Sequence, residues 1–266
     1  MHDETKRKRP HLFGFLFYFI FFVFITGGMA MIYYWITLPL ACSKIAEKLW
    51  RKVTGVRPLR LEREKERLLP LFKEVYEGAV KADPELSKGI KIYIKEDMSV
   101  NAFAFGRETL VLTRGSIELL NDECLKGLIA HEFGHFSNYD TAAALLTAVG
   151  NLPLSYIVAK MYNVKSKNDE KKRGVIIGFF RFIYNSIYYL FKTVQTLGNL
   201  VIKRKNRKQE YRADAFALES GFGRDLANVL VEIYSMSFEK PKSVKEQLNS
   251  SHPPITLRIE RLEEAI

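Results

Sequence analysis

Cysteine is scarce in this chain: 266 residues include two, Cys42 and Cys124. They do not have the C-x-x-C spacing of zinc and redox sites, so neither is expected to bind a metal or to form a disulfide. The chain also has no internal repeat and no low-complexity tract. With 47% hydrophobic and 13% aromatic residues, it can bury a core, and a disordered chain is not expected.

Charge is absent from two long stretches. From Pro10 to Ser43 no residue carries a full charge if His11 is neutral. As a helix this run would measure roughly 50 Å, more than the ~30 Å hydrocarbon core, so it predicts one tilted span or two short spans that turn near Gly27-Gly28. It is too long for a signal peptide. The second run, Thr141 to Ala159, is about as long as one bilayer crossing.

A third apolar run, Gly174 to Ile202, contains the charged residues Arg181 and Lys192. On a helix its polar side chains form one narrow stripe. These are Arg181, Asn185, Tyr188, Lys192, Gln195 and Asn199. The run is either a spanning helix whose stripe faces protein or a watery cavity, or an amphipathic helix in the interface. We favour a spanning hairpin with the run at 141–159, since a short basic loop joins the two.

The remaining segments are typical of a globular domain. A charged and apolar pattern predicts a helix from Leu61 to Ala82. Short alternating runs at 90–95, 100–106 and 109–113 predict a small antiparallel sheet. The stretch NDECLKGLIAHEFGHFS then predicts an amphipathic helix that Asn121 or Asp122 caps.

The sequence HEFGH lies on that helix. His131 and His135 are four residues apart and share a face, so both imidazoles could bind one Zn²⁺. Glu132 could take a proton from water that the zinc acidifies and pass it to a leaving amine. The alternative is a chance match, which composition would produce on the order of once in a hundred such chains.

A catalytic zinc usually needs a third protein ligand and an open fourth position. Glu210 and Asp214, in the helix-like stretch RKQEYRADAFALESGFG, lie four residues apart on one face. Glu210 could bind the metal while Asp214 orients a residue that does so. Alone this pair is weak support, because acidic residues at this spacing are common on solvated helices.

The chain contains the motifs NAFAFG, AHEFGHFSNYD, EYRADAFA and SHPPITLRIERL, in this order. Together they resemble the HtpX-like integral membrane zinc metalloproteases, relatives of the CAAX prenyl proteases. The resemblance covers roughly residues 44–266. It implies that His131, His135 and Glu210 bind one Zn²⁺ per chain. It also implies that Glu132 is the general base and that Asp214 supports a zinc ligand.

The resemblance implies weaker roles as well. Arg258 would hold Asp214, and His252 would donate a hydrogen bond to the substrate oxyanion. Asp140 is either a second support for a zinc ligand or an ordinary polar residue at a helix end. His252 could instead be a turn residue, and Arg258 could instead be a solvated charge. An edge strand would pair with an extended substrate through Asn101, Ala102 and Phe103.

These inferences predict a mainly α membrane protein with an α+β, zincin-like catalytic domain. The catalytic domain would be interrupted: residues 1–43 form an N-terminal membrane segment, 44–140 its first part, 141–203 a membrane hairpin and 204–266 its second part. HtpX proteins usually have two clear N-terminal spans, whereas this chain has one long run. The side on which the N-terminus lies is therefore open.

The net charge of +11 predicts a polyanionic partner, and the apolar runs favour anionic lipid over nucleic acid. Basic residues flank the proposed catalytic side, which the positive-inside rule places in the cytoplasm. We expect an endopeptidase of the prokaryotic cell (inner) membrane that cleaves membrane-associated or misfolded proteins in quality control and stress response. The alternatives are a prenyl-protein processing protease and a non-catalytic membrane scaffold with a structural zinc.

Overall fold

A computed structural model describes residues 13–25, 28–41, 43–168, 175–236 and 253–266. The chain divides into two compact units. Of the described residues, one unit contains those within 39–145 and 203–266, and the other contains those within 13–38 and 146–202. The described residues of each unit therefore come from separate parts of the chain.

The described residues are mainly helical. The helices are α1 (Phe13–Ile25), α2 (Met29–Ala41), α3 (Lys44–Thr54), α4 (Glu62–Ala82), α5 (Arg114–Leu119), α6 (Asp122–Ser137), α7 (Asp140–Asn168), α8 (Val175–Glu219), α9 (Gly223–Met236) and α10 (Ile255–Glu263). The strands are β1 (Arg57–Pro58), β2 (Lys91–Lys95), β3 (Ala102–Phe105) and β4 (Thr109–Thr113).

The sheet is mixed, so the prediction of an antiparallel sheet was wrong in part. Its order is β1-β2-β4-β3; β2 and β4 are parallel, and the other two pairs are antiparallel. All five residues of β4 are buried, as expected for a strand with neighbours on both sides. In the sheet, β4 lies between β2 and β3. The strand β3, which comes between β2 and β4 in sequence, is therefore at the edge.

The core of the first unit forms where α6 packs against α4 and α9, with α10 packed on α9. Phe133, Leu125 and Ile129 of α6 and Leu226 of α9 are almost fully buried. Gly127 allows this close approach, because a Cβ there would lie 2.3 Å from backbone atoms of Asp225 and Leu226. The helix that carries HEFGH is thus held on several sides.

The turn between β3 and β4 is fixed by two helices. The carboxylate of Glu47 in α3 accepts hydrogen bonds from the backbone N–H groups of Arg107 (3.2 Å) and Glu108 (3.0 Å). Thr141 at the start of α7 donates to the carbonyl of Gly106 (2.8 Å). Gly106 has φ +66°, a conformation that favours glycine.

The second unit has a small buried cluster and an apolar surface. Phe15, Tyr18, Tyr34 and Leu154 are buried together, and the Tyr34 hydroxyl donates to the carbonyl of Gly150 (3.1 Å). Large apolar side chains remain exposed along the helices. They include Ile20, Phe24, Trp35, Ile36, Leu152, Phe182, Ile187 and Leu190.

The polar stripe predicted on the third apolar run is turned inward over much of its length. Arg181, Asn185 and Gln195 are half-buried and Tyr188 is buried, whereas Lys192 is exposed. Gln195 donates to Ser155 of α7 (3.0 Å). Polar groups inside and apolar groups outside are the arrangement of a helix whose surroundings are apolar.

By length and composition, one described helical segment, Asp140–Asn163 of α7, could cross a membrane. This is weak support by itself, because buried core helices pass the same criterion. The N-terminal run contains two helices, α1 and α2, on either side of Gly28, which has φ +96°. Each is roughly 20 Å long, shorter than the ~30 Å hydrocarbon core.

The sequence did not indicate that α8 is one helix from Val175 to Glu219, since we expected the run at 174–202 and the stretch from Gln209 to be separate. The short strand β1 and the helix α3 were also not predicted. Both lie in segment 44–60, which has no long apolar run. The four-residue spacing of Ile45, Leu49 and Val53 is the signal that could have indicated α3.

Candidate metal centre

The two histidines of HEFGH lie on α6, which begins where predicted. The Asn121 side chain accepts a hydrogen bond from the backbone N–H of Cys124 (2.8 Å) and caps the helix. The rings of His131 and His135 are 4.8 Å apart between centroids. His131 and the adjacent Glu132 are buried.

Glu210 on α8 completes a cluster of three metal-binding groups. Its Oε2 lies 3.6 Å from Nε2 of His131, and its Oε1 lies 3.7 Å from Nε2 of His135. One ligand atom from each of the three residues lies within 4.8 Å of the others. The structure thus brings together the three residues that the sequence indicated as ligands.

A glycine sets the distance between the two helices. Gly134, between the histidines, faces Ala213 of α8, and a Cβ at Gly134 would lie 2.7 Å from the Ala213 Cα and 2.9 Å from its carbonyl oxygen. Any larger residue would push the backbones apart. The sequence shows a glycine at position 134, but only the structure shows that it packs against Ala213.

The donor set fits zinc. Two imidazole nitrogens and a carboxylate oxygen are ordinary zinc ligands, and at bonds of 2.0–2.1 Å in a tetrahedron two ligand atoms are about 3.3 Å apart. The nitrogen-to-oxygen distances of 3.6 and 3.7 Å are close to that value. Three protein ligands leave one position open, as in catalytic zinc sites.

Asp214 and Arg258 lie behind His131. The Asp214 Oδ1 is 2.9 Å from Nδ1 of His131, which leaves Nε2 directed at Glu210. Arg258 of α10 donates to both carboxylate oxygens of Asp214, at 2.8 and 2.6 Å. Its Nη1 is also 3.2 Å from Oε2 of Glu210, so a buried cation contacts both carboxylates.

These contacts shift the pKa values of the group. Burial raises the pKa of Asp214, but hydrogen bonds from His131 and Arg258 outweigh burial and hold the pKa below its usual value. Burial lowers the pKa of His131, but hydrogen bonds to Asp214 and Glu210 outweigh it and raise the pKa to about 9. The surroundings of His131 therefore favour a positive charge. Because a proton and a metal ion both bind to the imidazole nitrogen, they compete for this site.

Asp140 has the corresponding position beside His135. Its Oδ2 is 3.4 Å from Nδ1 of His135, while Gln209 and Arg212 of α8 donate to its other oxygen. Tyr139, with φ +56°, turns the chain between α6 and α7. No sequence pattern indicated a role for Gln209 and Arg212, although both are close to Glu210 in the chain.

The predicted substrate strand is at the sheet edge. Ala102 and Phe103 belong to β3, which pairs with β4 and contacts α6. The backbone of Asn101 is fixed, since its N–H donates to the hydroxyls of Thr113 (3.0 Å) and Ser116 (2.8 Å). His252, the predicted oxyanion donor, lies outside the described residues.

The sequence matches known proteins in the same region. Residues 67–266 match the profile of Peptidase family M48. The chain belongs to peptidase family M48.

The names of similar proteins support the assignment to family M48. A protein named Protease HtpX homolog from Bacteroides fragilis (strain YCH46) is 28% identical over 251 residues, with 80% of this chain and 73% of the relative covered. The Protease HtpX homolog of Listeria monocytogenes serotype 4a (strain HCC23) is 33% identical over 204 residues, which cover 65% and 67% of the two chains. The chain is thus an HtpX-like M48 membrane metalloprotease.

The fold resembles that of a solved structure. The crystal structure of S. mikatae Ste24p superposes with a TM-score of 0.56 at 20% sequence identity and covers 93% of this chain. This chain spans 61% of the length of that protein. At this identity the likeness concerns the fold.

Proposed function

We propose that the chain is a zinc endopeptidase that cleaves membrane-associated or unfolded polypeptides. The observation that carries the proposal is the cluster of His131, His135 and Glu210, whose ligand atoms lie within 4.8 Å of one another. Family membership supports peptidase activity, and metalloproteases of this family depend on zinc. Zinc bound by these residues would polarise the peptide carbonyl and increase the acidity of water.

Glu132 is the general base of the proposal. It follows His131 on α6, so its side chain points roughly 100° around the helix from that ligand, beside the cluster. The carboxylate takes a proton from the attacking water, and the oxygen forms a bond with the carbonyl carbon. Glu132 then gives the proton to the amine as the C–N bond breaks.

Asp214, Arg258 and Asp140 keep the ligands oriented. A carboxylate on Nδ1 of each histidine fixes the tautomer in which Nε2 is free to bind metal. Arg258 balances the negative charge of Asp214 and Glu210. His252 is proposed as a hydrogen-bond donor to the oxyanion.

The substrate would bind as an additional strand beside β3. An extended peptide can pair along the edge that Asn101, Ala102 and Phe103 form. Its main-chain hydrogen bonds would go to Ala102, because the N–H of Asn101 already donates to Thr113 and Ser116. Such pairing accepts many sequences, because the backbone supplies the affinity. This breadth suits an enzyme of protein quality control.

A membrane location is supported by the second unit, with its exposed Phe24, Trp35 and Phe182 and its inward-turned polar groups. We propose that it spans the prokaryotic cell membrane with the first unit on the cytoplasmic side. The domain limits of 1–43, 44–140, 141–203 and 204–266 belong to the same proposal. The partners would be polypeptides and the lipid bilayer.

The test is proteolysis by the purified full-length protein in detergent, with an unfolded soluble protein and a membrane protein as substrates. Glu132→Gln should keep about one zinc per chain and lose activity by about 10²–10⁴-fold. Glu123→Gln, an exposed position on the same helix, is the matched control. Chelator should abolish activity, and zinc should restore it.

Unchanged proteolysis in Glu132→Gln would refute the assignment of the general base. If wild-type protein binds zinc tightly but cleaves neither substrate, the non-catalytic scaffold is the better description.

The prenyl-protein alternative has one supporting observation, the fold shared with Ste24p. It predicts that cleavage requires a lipid on the C-terminal cysteine of the substrate. Matched peptides with and without that lipid separate the two functions, since the quality-control enzyme cleaves both.

A further inference from the structure

Helix α3 has two dissimilar faces. Ser43 caps its start by accepting from the N–H of Ala46, and Gly55 with φ +71° ends it. The inner face carries Glu47, which holds the β3–β4 turn, and Arg51, which donates to Thr109 (3.0 Å). The helix is therefore fixed to the first unit along one side.

The opposite side, the α3 outer face, consists of Ile45, Leu49, Val53 and Trp50. Their exposed fractions are 73%, 61%, 67% and 43%. Ile45, Leu49 and Val53 follow at intervals of four and form one row. At 3.6 residues per turn, Leu49 lies roughly 160° around the axis from Glu47. The row thus points away from the first unit.

Lysines border this apolar row. Lys44, Lys48 and Lys52 form a second row of exposed side chains at the same interval. Lys44 pairs with Glu108 (2.9 Å). For Lys48 and Lys52 the described part of the chain provides no ion-pair partner. An apolar face with lysines on one flank and a tryptophan on the other is typical of helices that lie in a membrane interface.

We infer that the α3 outer face lies in the headgroup region of the membrane and binds anionic phospholipid through Lys48 and Lys52. The adjoining chain supports this occupant, because the apolar helix α2 ends at Ala41, just before Ser43. Charge supports it too, since the flanking groups are cations. The inference rests on the proposed membrane location but not on proteolysis.

Tryptophan fluorescence can test this directly. The chain has two tryptophans, Trp35 and Trp50, so Trp35→Phe leaves Trp50 as the sole reporter. The full-length protein is reconstituted into mixed phosphatidylcholine and phosphatidylglycerol vesicles in which one lipid at a time carries bromine on its acyl chain. Bromine should quench Trp50, and phosphatidylglycerol should quench about twofold more than phosphatidylcholine at equal content.

Two variants on this background identify the cause. Lys48→Gln with Lys52→Gln should make quenching by the two lipids equal. Lys81→Gln with Lys88→Gln changes the net charge equally at exposed positions elsewhere and should keep the preference. Peptidase activity in detergent should stay unchanged in both pairs, which separates this result from a failure of the proposed function.

Three results would overturn the inference. One is Trp50 quenched by aqueous acrylamide but not by brominated lipid. Another is equal quenching by both lipids before any lysine is changed. The third is that neither acrylamide nor brominated lipid quenches Trp50 until the protein is diluted. That result would mean that a second copy of the chain covers the α3 outer face.

Discussion

At the scale of single residues, the absence of a side chain at Gly134 matters as much as the ligands beside it. The glycine allows the backbone of α8 to approach α6 at Ala213, and Glu210 lies less than one turn away along α8. The position of the third ligand therefore depends on a residue that has no metal-binding atom.

Gly134→Ala tests this dependence. The added methyl would overlap with the Ala213 backbone, and overpacking of this kind costs about 1–3 kcal/mol. If the helices separate to relieve it, zinc affinity should fall roughly tenfold or more, with a parallel loss of proteolysis. Competition with a chromogenic chelator measures the affinity.

Gly89→Ala is the control for this substitution, because a Cβ there would meet the flexible side chain of Glu108. Wild-type zinc affinity in Gly134→Ala would show that the helices adjust without moving Glu210.

At the scale of elements, the edge strand depends on a contact outside the sheet. The Glu47 carboxylate receives two backbone N–H groups and the Thr109 hydroxyl, so it fixes the turn from which β3 extends. If β3 is the substrate strand, Glu47 positions the substrate without contacting it.

Glu47→Gln should therefore raise KM several-fold and leave kcat near its original value. The amide has one acceptor oxygen in place of two and directs an NH₂ group at N–H donors, so at least one hydrogen bond is lost, each worth about 1 kcal/mol or more. Steady-state kinetics on an extended peptide measures both constants. Glu77→Gln, on the exposed side of α4, should change neither. A fall in kcat with unchanged KM would contradict the positioning role.

Local patterns predicted elements better than their arrangement. The strand expected at 109–113 has the limits of β4, the helix expected at 61–82 is α4 to within one residue, and Asn121 is the cap of α6. These features depend on neighbours in sequence. The order of strands does not, and the parallel pairing of β2 with β4 requires knowing that β4 is central.

The candidate site shows the same limit. His131, His135 and Glu210 were indicated by residue type and spacing, with the family resemblance for their roles. The hydrogen bonds from Gln209 and Arg212 to Asp140 join residues far apart in the chain. The hydrogen bonds between Glu47 and the β3–β4 turn do so as well. No local sequence pattern indicates which distant residue a polar side chain will contact.

At the scale of the molecule, a buried ion-pair network joins separate parts of the first unit. Glu64 of α4 is buried and pairs with Arg57 of β1 (2.7 Å) and Arg114 of α5 (3.1 Å). Hydrogen bonds from Arg57 hold the pKa of Glu64 well below its usual value, although burial opposes this, and the backbone N–H groups of Arg60 and Leu61 add to the lowering.

The network predicts a loss of stability in acid. A carboxyl whose pKa is lower in the folded state stabilises the fold above its unfolded pKa, near 4.3, and this stability is lost as the pH falls toward the folded pKa. Glu64→Gln should lower the free energy of unfolding by about 1–3 kcal/mol at neutral pH and flatten its dependence on pH below 5.

Thermal unfolding followed by circular dichroism, with chelator present at every pH, measures this without a contribution from metal loss. Glu62→Gln on the same helix has an exposed side chain paired with Lys65 (2.8 Å) and should behave like the wild type. Equal pH dependence in Glu64→Gln and wild type would exclude the network as the cause.

The contact between Arg258 and Asp214 also has a consequence in time. A ribosome makes the two histidines first, then Glu210 and Asp214, and only later Arg258. Until Arg258 emerges, Asp214 and Glu210 lack the guanidinium that contacts both of them in the folded protein. We expect the growing chain to remain unable to cut its neighbours, or itself, until α10 has docked.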